Sequence, residues 1–188
     1  SRELRFEKSG QGTLFYTARL KYVVNELFQN PLDTGFNVTR SYAPFVDGKE
    51  GTAGTTFKAG DLVRVTLRLW LTKERRFVAV TDPLPAGFEA VESWFATTAT
   101  DLARAQEEQG QPDEAERWWE RGGFDHVERH DDRIHLFATR LAEGVHEFSY
   151  IARATTAGTF RTAPAHAEEM YSPEVFGRTA TATIEVQR

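Results

Sequence analysis

In the segment DLVRVTLRLWLT, residues 61–72, Leu62 is followed by Val63, Val65, Leu67, Leu69 and Leu71 on one face against Arg64, Thr66 and Arg68 on the other. A repeat of two sends successive side chains to opposite sides of an extended chain, so this stretch is a strand with one buried face. A chain organised around such a strand needs partners that cover that face. After a basic turn, RFVAVTDPLPAGFEAV continues the pattern until the two prolines of DPLP, which cannot donate ladder hydrogen bonds, force an irregular corner.

The same period recurs elsewhere. In GTLFYTARLKYVV (12–24), Leu14, Tyr16, Ala18, Leu20, Tyr22 and Val24 alternate and predict a half-buried strand. NPLDTGFNVTRSYAPF predicts a turn around Pro31 to Gly35 and a strand from Phe36 to about Tyr42, and VDGKEGTAGTTFKAGD reads as a glycine-rich loop. Between 124 and 171 the pairs DD, EG and AG mark turns between short alternating runs, and RTATATIEVQR closes the chain with Ala180, Ala182, Ile184 and Val186 on one face.

Residues 97–121, TTATDLARAQEEQGQPDEAERWWER, are rich in Ala, Glu, Gln and Arg and predict two short helical runs, with Asp113 and Glu114 near the second N-terminus. Many short strands, regular turns and one helical excursion predict a mainly β chain: an antiparallel β-sandwich with a short helical insertion at about 97–121, in one domain over 1–188. A chain of 188 residues buries about 70% of its unfolded surface, enough for one core.

Composition removes several functions. A net charge of −5 with no basic run argues against phosphate-backbone binding, so no nucleic-acid partner is expected. With no cysteine the chain holds no disulfide, thiolate metal site or cysteine nucleophile. No apolar run reaches the roughly 20 residues that span a bilayer. The opening SRELRFEKSGQG, without an initiator methionine, fits a piece of a longer protein or a processed chain.

Candidate chemistry is sparse. His126 and His130 are four apart, but on a strand that spacing separates them by about 13 Å, too far for one zinc ion. Asp131 and Asp132, beside Arg133, read as a solvated hairpin turn in preference to an acid pair. No GxSxG, GxxxxGK[ST] or GxGxxG motif occurs, so no enzyme activity, metal or cofactor is expected. Trp118 and Trp119 point about 100° apart on a helix, which favours docking of the insertion over a flat sugar-stacking platform.

One combination of motifs is more specific. LPAGFE (84–89), DDR (131–133), ARATTAG (152–158) and AEEMYSPEVFGR (167–178) follow in order, after an N-terminal GQGTLFYTARLKY. With these the chain resembles the C-terminal macroglobulin-like domain of bacterial alpha-2-macroglobulins over most of its length. The resemblance implies a piece of a large periplasmic protein that traps endopeptidases and is anchored to the inner membrane as a lipoprotein through an N-terminal lipid. In that family a protease cuts a bait region, and a Cys-Gln thioester in a neighbouring domain of the same polypeptide is exposed and attacks it. The last macroglobulin-like domain packs on the thioester domain.

The resemblance places Met170 and Tyr171 as the residues that shield the thioester, with Ser172 and Pro173 supporting their loop. Pro173 fixes its own φ and biases Ser172 toward extended geometry. Glu168, Glu169 and Arg178 flank the loop, as surface ion pairs or as contacts to the neighbouring domain. From the residues alone, the favoured reading is Met170 as a core gap-filler and Tyr171 as a ring closing the end of the sandwich, and only the motif match puts shielding ahead; exposure separates the two readings. The alternative function is a generic β-sandwich binding module for carbohydrate or another cell-envelope protein, with Trp94, Trp118 and Trp119 as contacts.

Overall fold

The computed structural model describes residues 4–18, 28–91 and 122–188. In chain order the strands are β1 (Leu32–Asp33), β2 (Asn37–Val46), β3 (Lys49–Glu50), β4 (Thr56–Lys58), β5 (Leu62–Leu71), β6 (Arg75–Pro83) and β7 (Phe88–Ala90). They continue with β8 (His126–Arg129), β9 (Arg133–Leu141), β10 (Gly144–Ala154), β11 (Gly158–Thr162), β12 (His166–Glu169), β13 (Ser172–Arg178) and β14 (Ala182–Gln187).

They form a five-stranded sheet, β3-β2-β5-β10-β7, a six-stranded sheet, β1-β13-β12-β6-β9-β8, and a three-stranded sheet, β11-β14-β4. Pairing is antiparallel except between β14 and β4, which run parallel. The corners at 72–74 and 142–143 carry the chain from one large sheet to the other, so the β5–β10 pair lies in one sheet and the β6–β9 pair in the other.

The alternation in β5 holds: Val63, Val65, Leu67, Leu69 and Leu71 are fully buried, whereas Arg68 and Trp70 on the opposite face are exposed. The buried residues join Val78 and Val80 of β6, Ile134 and Leu136 of β9 and Phe148 of β10 in one cluster. Burying each such side chain contributes about 1.5–3 kcal/mol against the chain entropy lost on folding. The DD, EG and AG pairs connect β8 to β9, β9 to β10 and β10 to β11 as expected.

Three expectations need correction or placing. Residues 12–18 form no strand; Phe15 and Tyr16 are exposed, and Tyr16 stacks on Phe6 at 4.4 Å instead. Alternation shows which face an extended segment could bury, but among the described residues no neighbouring strand offers its backbone groups a ladder to join. The stretch VDGK is a two-residue hairpin turn: Asp47 (φ 50°) and Gly48 (φ 73°) pair Val46 with Lys49. Asp-Gly tolerates the positive φ that such a turn requires. The helical insertion at 97–121 and residues 19–24 lie outside the described residues, among which there is no helix.

The two inner faces carry charge as well as hydrocarbon. Arg40 stands in the inward register of β2 between Val38 and Tyr42, and Asp82 ends the inward series Val78, Val80 of β6. Their side chains, 3% and 0% exposed, pair at 2.5 Å. Arg40 Nη1 also donates to the Pro83 carbonyl at 3.2 Å, and Nη2 donates to Thr162 Oγ1 at 3.0 Å and to the Ala163 carbonyl at 2.8 Å. The second Asp82 oxygen accepts the Tyr150 hydroxyl of β10 at 2.8 Å. One guanidinium thus ties strands from all three sheets together.

Burial pushes the Asp82 carboxyl up from its ordinary value, opposed by the Arg40 charge and the Tyr150 hydrogen bond. A carboxyl whose pKa is raised on folding binds protons more readily in the folded chain, so its contribution is fullest in acid and declines as pH rises through the folded value. Arg40→Met removes the main opposing charge and pushes Asp82 higher still. In urea unfolding the variant is expected to lose about 3–5 kcal/mol near neutral pH, with a smaller loss in acid where Asp82 is protonated. A loss independent of pH would show that the carboxylate charge is not what Arg40 compensates.

Candidate functional site

The β12–β13 hairpin forms the site. Ala167 pairs with Gly177 and Glu168 with Phe176, after which the register shifts and Glu169 pairs with Ser172. Residues 173–175 are therefore surplus to the ladder, and Pro173, which has no N–H, falls where no ladder bond is needed. Met170 and Tyr171 form the tip between the strands. Gly177 lets the hairpin approach the segment that leads into β2: a Cβ there would stand 1.8 Å from the Phe36 carbonyl oxygen.

The tip projects outward, with Met170 49% and Tyr171 77% exposed. Neither residue fills the core. The Met170 N–H donates to the Phe77 carbonyl of β6 at 2.8 Å. The Phe77 ring, itself 47% exposed, meets the Tyr171 ring edge to face with centroids 5.2 Å apart. Phe77 adopts φ 51°, a left-handed backbone that a bulky residue rarely takes.

Beneath the tip lies a second inward charge. Arg75, 5% exposed, places Nη1 3.7 Å from Glu169 and donates from Nη2 to the Gly35 carbonyl at 2.9 Å. Its guanidinium also stacks over Phe36, 5.4 Å from the ring centroid. Glu169, with an 18% exposed side chain, is thus half of a largely buried pair and not the surface ion pair that its sequence context suggests. Glu168 contacts His166 at 3.2 Å, and Arg178 donates to the Asn30 carbonyl at 3.3 Å.

The remaining candidates stand apart from this tip. His126 on β8 and His130 just beyond it are exposed and flank Glu128 at 3.4 and 3.5 Å. Asp131 and Asp132 occupy the β8–β9 turn, where the His130 N–H donates to the Arg133 carbonyl at 2.9 Å. Hydrogen bonds from Arg133 hold the exposed Asp132 carboxyl below its ordinary value. An open cleft of about 350 Å³ is bordered by Glu89, Ala90, Arg129, His130 and Asp131. Among the described residues, no group of three or more His, Cys, Asp or Glu is placed to hold a metal ion. Trp94, Trp118 and Trp119 lie outside the described residues.

Compared with known families, residues 35–174 match the bacterial alpha-2-macroglobulin MG10 domain. The chain belongs to that family. The matched segment contains the Arg40–Asp82 pair, Arg75, Phe77, Met170 and Tyr171. An alpha-2-macroglobulin homolog of Nostoc is 31% identical over 194 residues, covering 98% of this chain but 9% of that protein. The circularly permutated Ras protein 2 of Dictyostelium discoideum is 28% identical over 182 residues, covering 94% of this chain and 4% of that protein.

Among solved structures, trypsin-activated alpha-2-macroglobulin from Escherichia coli superposes with a TM-score of 0.68 at 25% identity, over 85% of this chain and 11% of that one. The fold is thus macroglobulin-like. This MG10-family chain spans about a tenth or less of each of these three proteins.

The Arg75 contacts predict how the tip is held. Arg75→Met keeps a long side chain against Phe36 but leaves Glu169 and the Gly35 carbonyl without their cation. Leaving buried polar groups unpaired costs about 1–3 kcal/mol. Faster hydrogen exchange at the Met170 amide, exceeding any change at amides of β5, is the expected result. Equal changes at both places would mean that Arg75 stabilises the sandwich as a whole and not the hairpin.

Proposed function

We propose that this MG10-family domain is a non-catalytic part of a bacterial protease trap, the last macroglobulin-like domain of its polypeptide, and that it packs on the thioester domain and shields the thioester until the bait is cut. On this reading its partner in the resting state is the thioester domain, and target endopeptidases are met by the whole polypeptide. The protein acts in the periplasm, held to the inner membrane by an N-terminal lipid.

The observation that carries the proposal is the exposure of Met170 and Tyr171 at the tip of a braced hairpin within the matched segment. A thioester that must persist until a protease arrives needs water kept away from its carbonyl, which apolar side chains pressed over it accomplish. Methionine conforms to an irregular surface through three soft torsions and a polarizable sulfur. Tyrosine brings a broad ring, and its hydroxyl can fix the contact with one hydrogen bond. The register shift at 173–175 supports the reading as well, because an irregular ladder at the base of a tip re-aims its side chains.

The carbohydrate-binding alternative rests on tryptophans outside the described residues, and no observation favours it. The test is thiol release from the whole polypeptide before and after addition of an endopeptidase. An aromatic anchor at the centre of an interface contributes about 2 kcal/mol, so Tyr171→Ala is expected to raise spontaneous release roughly 30-fold. Met170→Ala should have a smaller effect in the same direction. Release at the unaltered rate in both variants would contradict the shielding role.

A further inference from the structure

We infer that Phe77 is a positioning residue for the exposed tip, fixing Met170 through its backbone and Tyr171 through its ring. This inference rests on the shielding role proposed for those two residues. In a strand whose register buries Val78 and Val80, position 77 falls on the outer face, where any polar residue would serve the sheet. Instead the chain places a large ring there at φ 51°. Bulky residues avoid that conformation unless the surroundings hold it, and such backbone outliers gather where a fixed geometry is used.

Both consequences of the outlier converge on the tip. The Phe77 carbonyl accepts the Met170 N–H at 2.8 Å, one residue beyond the last β6–β12 register pair, Val78 with Glu169. The Phe77 ring stands edge to face against Tyr171 at 5.2 Å and 83° between planes. Tyr171 is 77% exposed, and among the described residues the phenylalanine ring is the aromatic contact that limits its rotation. Together Phe77, Met170 and Tyr171 form one exposed apolar surface, carried by β6 and by the β12–β13 turn beside it. A tyrosine that covers a reactive group must be directed before the partner domain arrives, since a ring free to rotate would have to be ordered at the moment of docking.

Two substitutions separate the ring from the backbone. Phe77→Gly takes up the left-handed conformation without strain and keeps the carbonyl, but deletes the ring. Phe77→Tyr keeps the ring. In nuclear magnetic resonance spectra of this chain, the Tyr171 ring protons are expected to lose their ring-current shift in Phe77→Gly and to retain it in Phe77→Tyr, while the Met170 amide stays protected in both. Tyr171 shifts unaltered by Phe77→Gly would overturn the inference.

In the whole polypeptide, spontaneous thiol release should rise about two- to tenfold in Phe77→Gly, the worth of one aromatic pair, and return to the parent rate in Phe77→Tyr. If Tyr171→Ala speeds release but Phe77→Gly does not, Phe77 has no positioning role and shielding by the tip stands. If neither speeds release, the shielding role itself fails, and the Tyr171 ring shifts alone decide whether Phe77 orients that side chain.

Discussion

A charge pair buried between sheets sets the frame of this domain. Arg40 and Asp82 sit where hydrocarbon would be cheaper, since taking two ions out of water costs several kcal/mol each. The cost is offset because four acceptors receive Arg40 and both Asp82 oxygens have donors. What the pair provides is register. A one-residue slip of β2 or β6 would turn Arg40 or Asp82 toward solvent and strand its partner in the interior, so the polar contact selects one pairing among those that hydrophobic alternation alone permits.

The frame extends to the tip through a single strand. β6 carries Asp82 near one end and Arg75 and Phe77 near the other. At the first end it is clamped to β2 and β10; at the second, its side chains and carbonyl support the β12–β13 hairpin. The exposed residues are therefore presented by a short tip on braced strands, not by a long free loop. Presentation of this kind lowers the ordering entropy lost when a partner docks.

Much of the frame was legible in the chain. The alternation of 61–72 identified β5, and the ordered motifs around LPAGFE, ARATTAG and AEEMYSPEVFGR identified the family and drew attention to Met170 and Tyr171. The polar clamp also has a signal in the sequence: Val38, Arg40, Tyr42 and Val78, Val80, Asp82 each place a charge in an inward register, and the charges are opposite. Phe77 carried none, because nothing local marks a phenylalanine for a positive φ. The parallel β4–β14 pair and the buried Arg75–Glu169 contact likewise join segments far apart in sequence. Residues 12–18 show the converse, a strand pattern with no strand beside it among the described residues.

On the proposed reading, the braced tip touches the thioester domain only while the trap is unsprung. A photo-cross-linking amino acid at position 171 of the whole polypeptide tests this most directly, with the product mapped before and after cleavage by an endopeptidase. An intramolecular cross-link to the thioester domain is expected in the resting protein, and its disappearance after cleavage. A cross-link absent from the resting protein, or equally strong in both states, would contradict that reading.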